Sequence, residues 1–222
     1  MSRVAEPVKR RQYRSPLRAE RARASRQRIL DAAAAQFLAR GYARTPVTAI
    51  AAEAGVSEDL VFHLFTTKRG LLKAVLDVGI GGDAADVALL DREDPQAMRR
   101  ETSLRRQIAM FATGISQQLE RVRPLDDMLR SAAGVEPELA ELRDDIQLRQ
   151  RRQAMTTIAG WLHSRGPLRD DMSVEQAAAI LWTLTSPEVH HMLIENWEWS
   201  GEQYRAWLQG ILEASLLPPG AP

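Results

Sequence analysis

Apolar residues recur at helical spacing along most of the chain. Ile29, Ala33 and Phe37 fall every four residues with Leu30 beside them, and Gly41 follows Arg40 as a stop, so a helix is expected from Ser25 to Arg40. Thr45-Pro46 reads as an N-cap with proline at the first position of a short helix, Val47 to Ala54, whose inner face is Ile50 and Ala51. Gly55 ends that helix and Val56 supplies the apolar residue of a tight turn. Ser57 suits the N-cap of the next short helix, with Glu58 and Asp59 where carboxylates complement the helix dipole. Leu60, Val61, Leu64 and Phe65 form its buried side. Thr67 caps a fourth helix running from Lys68 through Leu71, Leu72, Val75 and Leu76 toward Gly79, and the GIGGD stretch breaks it.

Beyond Asp83 the chain is polar and poorly periodic to about Glu101. Helices are expected after that at Ser103 to Arg121, Leu125 to Ala133, Pro137 to Arg165, Ser173 to Asn196 and Ser200 to Leu216. Ser173-Val-Glu-Gln176 and Ser200-Gly-Glu-Gln203 both have capping-box spacing, and Gly166-Pro167 closes the helix before them. No segment sustains period-two alternation. The expected fold is therefore all-α, with about nine helices.

Composition narrows the function classes. The 222 residues are 45% apolar and contain no cysteine, which removes thiolate nucleophiles, iron–sulfur clusters and cysteine-based zinc sites. The first thirty residues carry ten Lys or Arg without the apolar core of a signal peptide, and no stretch approaches the roughly 20 apolar residues of a membrane span. A cytoplasmic protein is expected. The net charge of +1 conceals an asymmetry: residues 1–70 hold 14 basic and 6 acidic groups, residues 71–222 hold 16 and 23. A basic N-terminal third on an acidic remainder points to a polyanionic partner for one part only, although chance clustering of solvated charge gives the same count. Residues 1–24, arginine-rich with two prolines, read as an extended or partly helical arm; 25–70 and 71–222 then form two helical domains.

The informative unit runs from Val47 to Phe65: two short helices joined by a glycine-containing turn, the helix-turn-helix arrangement. Ala51 lets the helices approach, Gly55 takes the turn conformation and Val56 plugs the interface. The second helix is then free to enter a major groove.

The run from Arg28 to Leu72 resembles the DNA-binding domain of tetracycline-repressor (TetR) family transcription regulators. The resemblance rests on Ile29-Leu30-Asp31-Ala32-Ala33, Phe37, Gly41-Tyr42, Thr45-Pro46-Val47, Ile50-Ala51-Ala52-Glu53-Ala54-Gly55-Val56-Ser57, Phe62-His63-Leu64-Phe65, Lys68 and Leu71-Leu72. The stretch from Ile180 to Val189, with Trp199-Ser200 and Tyr204 to Leu208 after it, is similar to the last two helices of one actinobacterial subgroup. The family resemblance implies an N-terminal three-helix helix-turn-helix domain and a C-terminal helical ligand-binding and dimerisation domain. It implies a homodimer through the last two helices, a palindromic double-stranded DNA operator and a small-molecule effector. Carried over position by position, Thr48, Glu58, Asp59 and Leu60 face base edges, Ser57, Phe62, His63 and Lys68 lie near phosphates, and Thr45 belongs with the backbone contacts. Arg14 and Arg18 in the arm add phosphate or minor-groove contacts. Met110, Thr113, Gly114, Gln117, Met155 and Trp182 fall where the family pocket lies, although core packing is the default reading of each.

Three positions depart from the family pattern. Phe62 lacks the phenolic hydroxyl of the usual Tyr, Leu64 replaces a frequent polar residue, and Glu58-Asp59 put two carboxylates at base-reading positions, where they repel phosphate but accept from cytosine N4. These carboxylates also suit the helix dipole, which requires no base contact. A steep salt dependence is expected, carried by the arm, Lys68 and Arg69.

Other functions are less well served. No Ser-His-acid arrangement or glycine-rich phosphate loop stands in the C-terminal part, so no enzyme activity and no cofactor are expected. His190-His191 are neighbours that point about 100 degrees apart on a helix and cannot readily share a metal ion. The acidic balance of residues 71–222 hints at a neutral or cationic ligand, though surface charge need not line a pocket. The alternative within DNA binding is a basic-armed helical protein that coats DNA without sequence preference or docks to a partner.

Overall fold

In a computed structural model, residues 16–220 are described; they are predominantly helical, with no strand among them. The elements are α1 (Pro16–Arg40), α2 (Val47–Ala54), α3 (Glu58–Phe65), α4 (Lys68–Gly81), α5 (Glu93–Arg100), α6 (Leu104–Ala133), α7 (Pro137–Asp144), α8 (Arg151–His163), α9 (Val174–Leu184), α10 (Pro187–His191) and α11 (Gly201–Leu216). Both expected capping boxes are present, Ser173 with Gln176 and Ser200 with Gln203.

Boundaries differ from the expectation where local pattern and packing part company. α1 begins at Pro16 rather than Ser25, because arginine and alanine are good helix formers and need no apolar face to continue a helix already nucleated by packing. α5 occupies part of the stretch expected to be irregular; it buries only Met98, too little to leave a visible period. α6 runs through Pro124 as one helix, with Val122 and Leu125 buried on either side of the proline. A wider π turn, Asp145–Gln150, joins α7 to α8, so the expected long helix persists as one rod. The expected helix from Ser173 breaks at Thr185, where Ser186 caps α10 with Pro187 at its first position.

Two apolar cores result, and they do not divide at residue 70. The first gathers Ile29, Phe37, Ile50, Val61, Leu71 and Leu72 with Val122, Leu125 and Leu129 of α6 and Leu139 and Leu142 of α7. The second gathers Ile108, Phe111, Met155, Leu162, Leu181, Tyr204, Leu208 and Leu212. α6 contributes one half to each. The N-terminal helices are thus packed directly against α6 and α7.

Candidate nucleic-acid interface

α2 and α3 owe their relative placement to the turn between them. Gly55 sits at φ 65°, a left-handed conformation that glycine adopts without a Cβ penalty. Its N–H donates to Ala52 O at 3.2 Å and that of Val56 to Ala51 O at 3.0 Å, the paired bonds of a Schellman motif. Arg28 Nε donates to Ala54 O at 3.1 Å, satisfying a further carbonyl at the same helix end. Ser57 Oγ then accepts from Leu60 N at 3.3 Å and starts α3. Val61 and Phe65 turn into the core, leaving Glu58, Asp59, Phe62 and His63 exposed on α3 and Thr48 exposed on α2.

Most of the expected DNA contacts share this surface. Ser57, Glu58, Asp59, Phe62 and His63 are exposed, Phe62 at 42%, and Leu60 is half-buried beside them. Arg18 is exposed on helical rather than extended backbone, and Arg14 lies outside the described residues. Thr45 is a correction. It is fully buried, its hydroxyl donating to Gly41 O at 2.8 Å and reaching Gln36 O at 3.1 Å, and Pro46 rather than Thr45 occupies the N-cap position of α2. Its side chain ties the end of α1 to the start of α2 and has no access to a phosphate.

Two cations of this domain rest on aromatic rings. The Arg26 guanidinium lies 4.8 Å from the Phe65 ring centroid, and the Lys68 ammonium lies 4.2 Å from that of Tyr42. Burial holds the Lys68 pKa below its ordinary value, with Glu138 and Glu136 acting against that shift. Tyr42 was legible only as the aromatic that closes α1, and the structure gives it a second role: its hydroxyl donates to Glu138 Oε1 of α7 at 2.8 Å. Burial, then that bond to the carboxylate, raises its pKa. Arg69 and Glu141 add an ion pair at 3.8 Å. Neither link across some seventy or more positions had a local signature.

The six residues expected to line a ligand pocket are not brought together. Met110, Gly114 and Gln117 are exposed on α6, and Thr113 beside them returns its hydroxyl to Ala109 O at 2.9 Å. Met155 is in the second core under Thr185. Only Trp182 lines a cavity, a cleft of about 230 Å³ shared with Arg143, Gln147 and Arg151. Among the described residues no group of three or more His, Asp or Glu is placed to hold a metal ion, and no helix is long and apolar enough to cross a membrane.

A short helix held by a Schellman turn, with its polar side presented, is the geometry of a helix-turn-helix unit. Residues 29–75 match the family model of the bacterial regulatory proteins of the tetR family.

The fold over nearly the whole chain is similar to solved structures. A TetR-family regulator from Rhodococcus sp. superposes with a TM-score of 0.64 at 21% identity, over 87% of this chain and 99% of that one. A transcriptional regulator from Saccharomonospora viridis, in complex with choline, gives 0.61 at 19% identity over 86% and 97%. NalD, the secondary repressor of the MexAB-OprM multidrug efflux pump in Pseudomonas aeruginosa, gives 0.65 at 20% identity over 89% and 98%. No curated protein is similar enough to count as a match.

Proposed function

We propose that this protein is a ligand-responsive repressor that binds a palindromic operator as a homodimer through its last two helices, α9–α10 and α11. The observation that carries the reading is the joint placement of an exposed α3 and a hydrogen-bonded link from its domain to α7, the start of the rod that lines the cleft. Thr48, Glu58, Asp59 and Leu60 read bases, and Ser57, Phe62, His63, Lys68 and Arg18 lie along the phosphates, with Arg14 as a further arm contact. Support for the dimer comes from α11, whose outward row Ala206, Gly210 and Ala214 is small enough for a second helix to approach closely, and from Met192 and Trp197, exposed at 53% and 71%. The choline complex and the efflux-pump repressor support effector binding and repression for this fold.

In this reading the effector moves α7, and α7 moves the DNA-binding domain through Tyr42–Glu138 and Arg69–Glu141. A displacement of a few ångströms is enough, because a dimer must engage two half-sites about 34 Å apart at once. The test is selection of bound sequences from a random DNA pool at physiological salt. An enriched palindrome with half-sites about 10 base pairs apart is expected. Binding without enrichment that disappears with added salt would instead assign the chain to nonspecific DNA coating.

A further inference from the structure

The cleft between the α7–α8 rod and the α9–α10 pair contains a cation with no carboxylate in direct contact, Glu188 of the lining and Asp126 acting on it only through space. Arg151 is largely buried, donating through Nη2 to the Trp182 carbonyl and to Thr185 Oγ1, and its Cζ lies 5.2 Å from the Trp182 ring centroid. Its Nε is buried with no hydrogen-bond partner among the described residues, and no carboxylate among them lies within 4.0 Å of its guanidinium. Arg143, the other guanidinium of the cleft, is already paired with Glu188. Burial pulls the Arg151 pKa down to about 10, which leaves it charged at neutral pH. Buried charges in folded proteins are ordinarily paired, and one that opens on a cavity marks a site for a counter-charge from outside.

The rest of the lining restricts what that counter-charge belongs to. Leu148, Val189 and the Trp182 ring form apolar walls. Gln147 donates its amide to Asp126 Oδ1 at 3.3 Å and keeps a buried Oε1 without a partner, an acceptor waiting for a donor. A volume of about 230 Å³ is below the roughly 300–1,000 Å³ of pockets for drug-sized ligands. With Arg143 paired to Glu188, a cationic compound would meet the Arg151 guanidinium, the charge left over in the lining.

We propose that this cleft binds a small organic carboxylate, its carboxylate against Arg151 and its apolar body along Trp182 between Leu148 and Val189. A hydroxyl or N–H donor on the ligand adds a bond to Gln147 Oε1. The proposal rests on the ligand-responsive reading and names the chemistry of the effector. The neutral or cationic ligand hinted at by the overall charge of residues 71–222 is set aside, since the local lining and not the surface balance meets the ligand. Glu138 and Arg151 stand 13 positions apart on the same rod, about 20 Å of helix, so occupation of the cleft and the Tyr42 bond act on one rigid element.

The test uses the full chain with phenylacetate, indole-3-acetate and hexanoate, each beside its amide, and with inorganic phosphate alone. At least one acid is expected to raise the melting temperature saturably, with its amide at least about tenfold weaker and phosphate without effect. Arg151→Met is expected to lose the response. A saturable change in tryptophan fluorescence is expected with the native chain, and Trp182→Phe is expected to lose most of it and to bind the acid more weakly, which locates the ligand. An amide or phosphate as effective as the acids, an undiminished response in Arg151→Met, or no shift with any of the three acids up to about 10 mM would overturn the assignment. The comparison of acid with amide on the native chain stands even if the Arg151 variant fails to fold. On the selected operator the two proposals separate: acids that bind without releasing DNA keep the cleft and remove the regulatory reading. Release by neutral or cationic compounds, insensitive to Arg151, does the reverse.

Discussion

At the scale of single residues, Thr45 and His190 show how burial decides a role. Thr45 is 0% exposed and its hydroxyl bridges to Gly41 O and Gln36 O, so Thr45→Val is expected to lower stability by about 1 kcal/mol while leaving the salt dependence of DNA binding unchanged. Thermal melts with salt titrations check this; a shallower salt slope at unchanged stability would return Thr45 to the phosphate contacts. His190 is buried with its ring edge-on to Tyr204 at 4.7 Å, and burial, then Arg123, pulls its pKa down to about 4. Asp127 and His191 also face it. A histidine held neutral in the fold contributes stability that is fully present above its unfolded pKa of about 6.5 and is lost as pH falls toward 4, because the unfolded chain then binds the extra proton. Asp126, raised mainly by burial, works in the opposite direction, so the informative quantity is a difference between variants. His190→Phe keeps a ring against Tyr204 and is expected to flatten the decline in melting temperature between pH 6.5 and 4; parallel curves for the two proteins would remove His190 as the cause.

At the scale of elements, the first helix and the recognition helix divide the work of binding. α1 carries Arg18, Arg21 and Arg23 exposed on regular helix beyond the first core, whereas α3 carries two carboxylates and one imidazole. Under the proposed function, attraction to phosphate comes chiefly from α1, Lys68 and Arg69, and discrimination from α2 and α3. Arg18→Ala is expected to weaken binding to all sequences alike and to reduce the salt slope by about 1. Binding measured over a range of salt on operator and random DNA decides it, and a loss confined to the operator would place Arg18 at a base edge.

At the scale of the whole molecule, coupling and assembly are the properties at issue. Tyr42→Phe keeps the ring under Lys68 and against Phe37 but removes the bond to Glu138. Operator affinity is expected to remain within a few-fold while the ratio of affinities without and with effector shrinks. An unchanged ratio would route the coupling elsewhere, through α4 against α6. For assembly, Trp207 is a poor target because its ring packs on Trp199 at 5.9 Å and Tyr204 at 5.8 Å, so its loss disturbs the fold as well. Gly210 has open space around its Cβ position, and a longer side chain there gains about 1 kcal/mol of helix propensity. Gly210→Arg is expected to yield a folded monomer with weak operator binding; a dimer of native mass in solution would move the interface off α11.

The sequence by itself determined the helical class, the turn at Gly55, the caps at Ser57, Thr67, Ser173 and Ser200, and the exposed residues of α3. Each depends on a few neighbouring positions, where period, φ requirement and side-chain acceptor act locally. Tertiary structure decided the continuation of α6 through Pro124, the burial of Thr45, the contact of Tyr42 with Glu138 and the exposure of Met110, Gly114 and Gln117. It also decided that Arg151 rather than another arginine lies buried without a carboxylate partner. These depend on which helix faces meet across tens of residues, and a helical period specifies that a face exists without specifying what covers it.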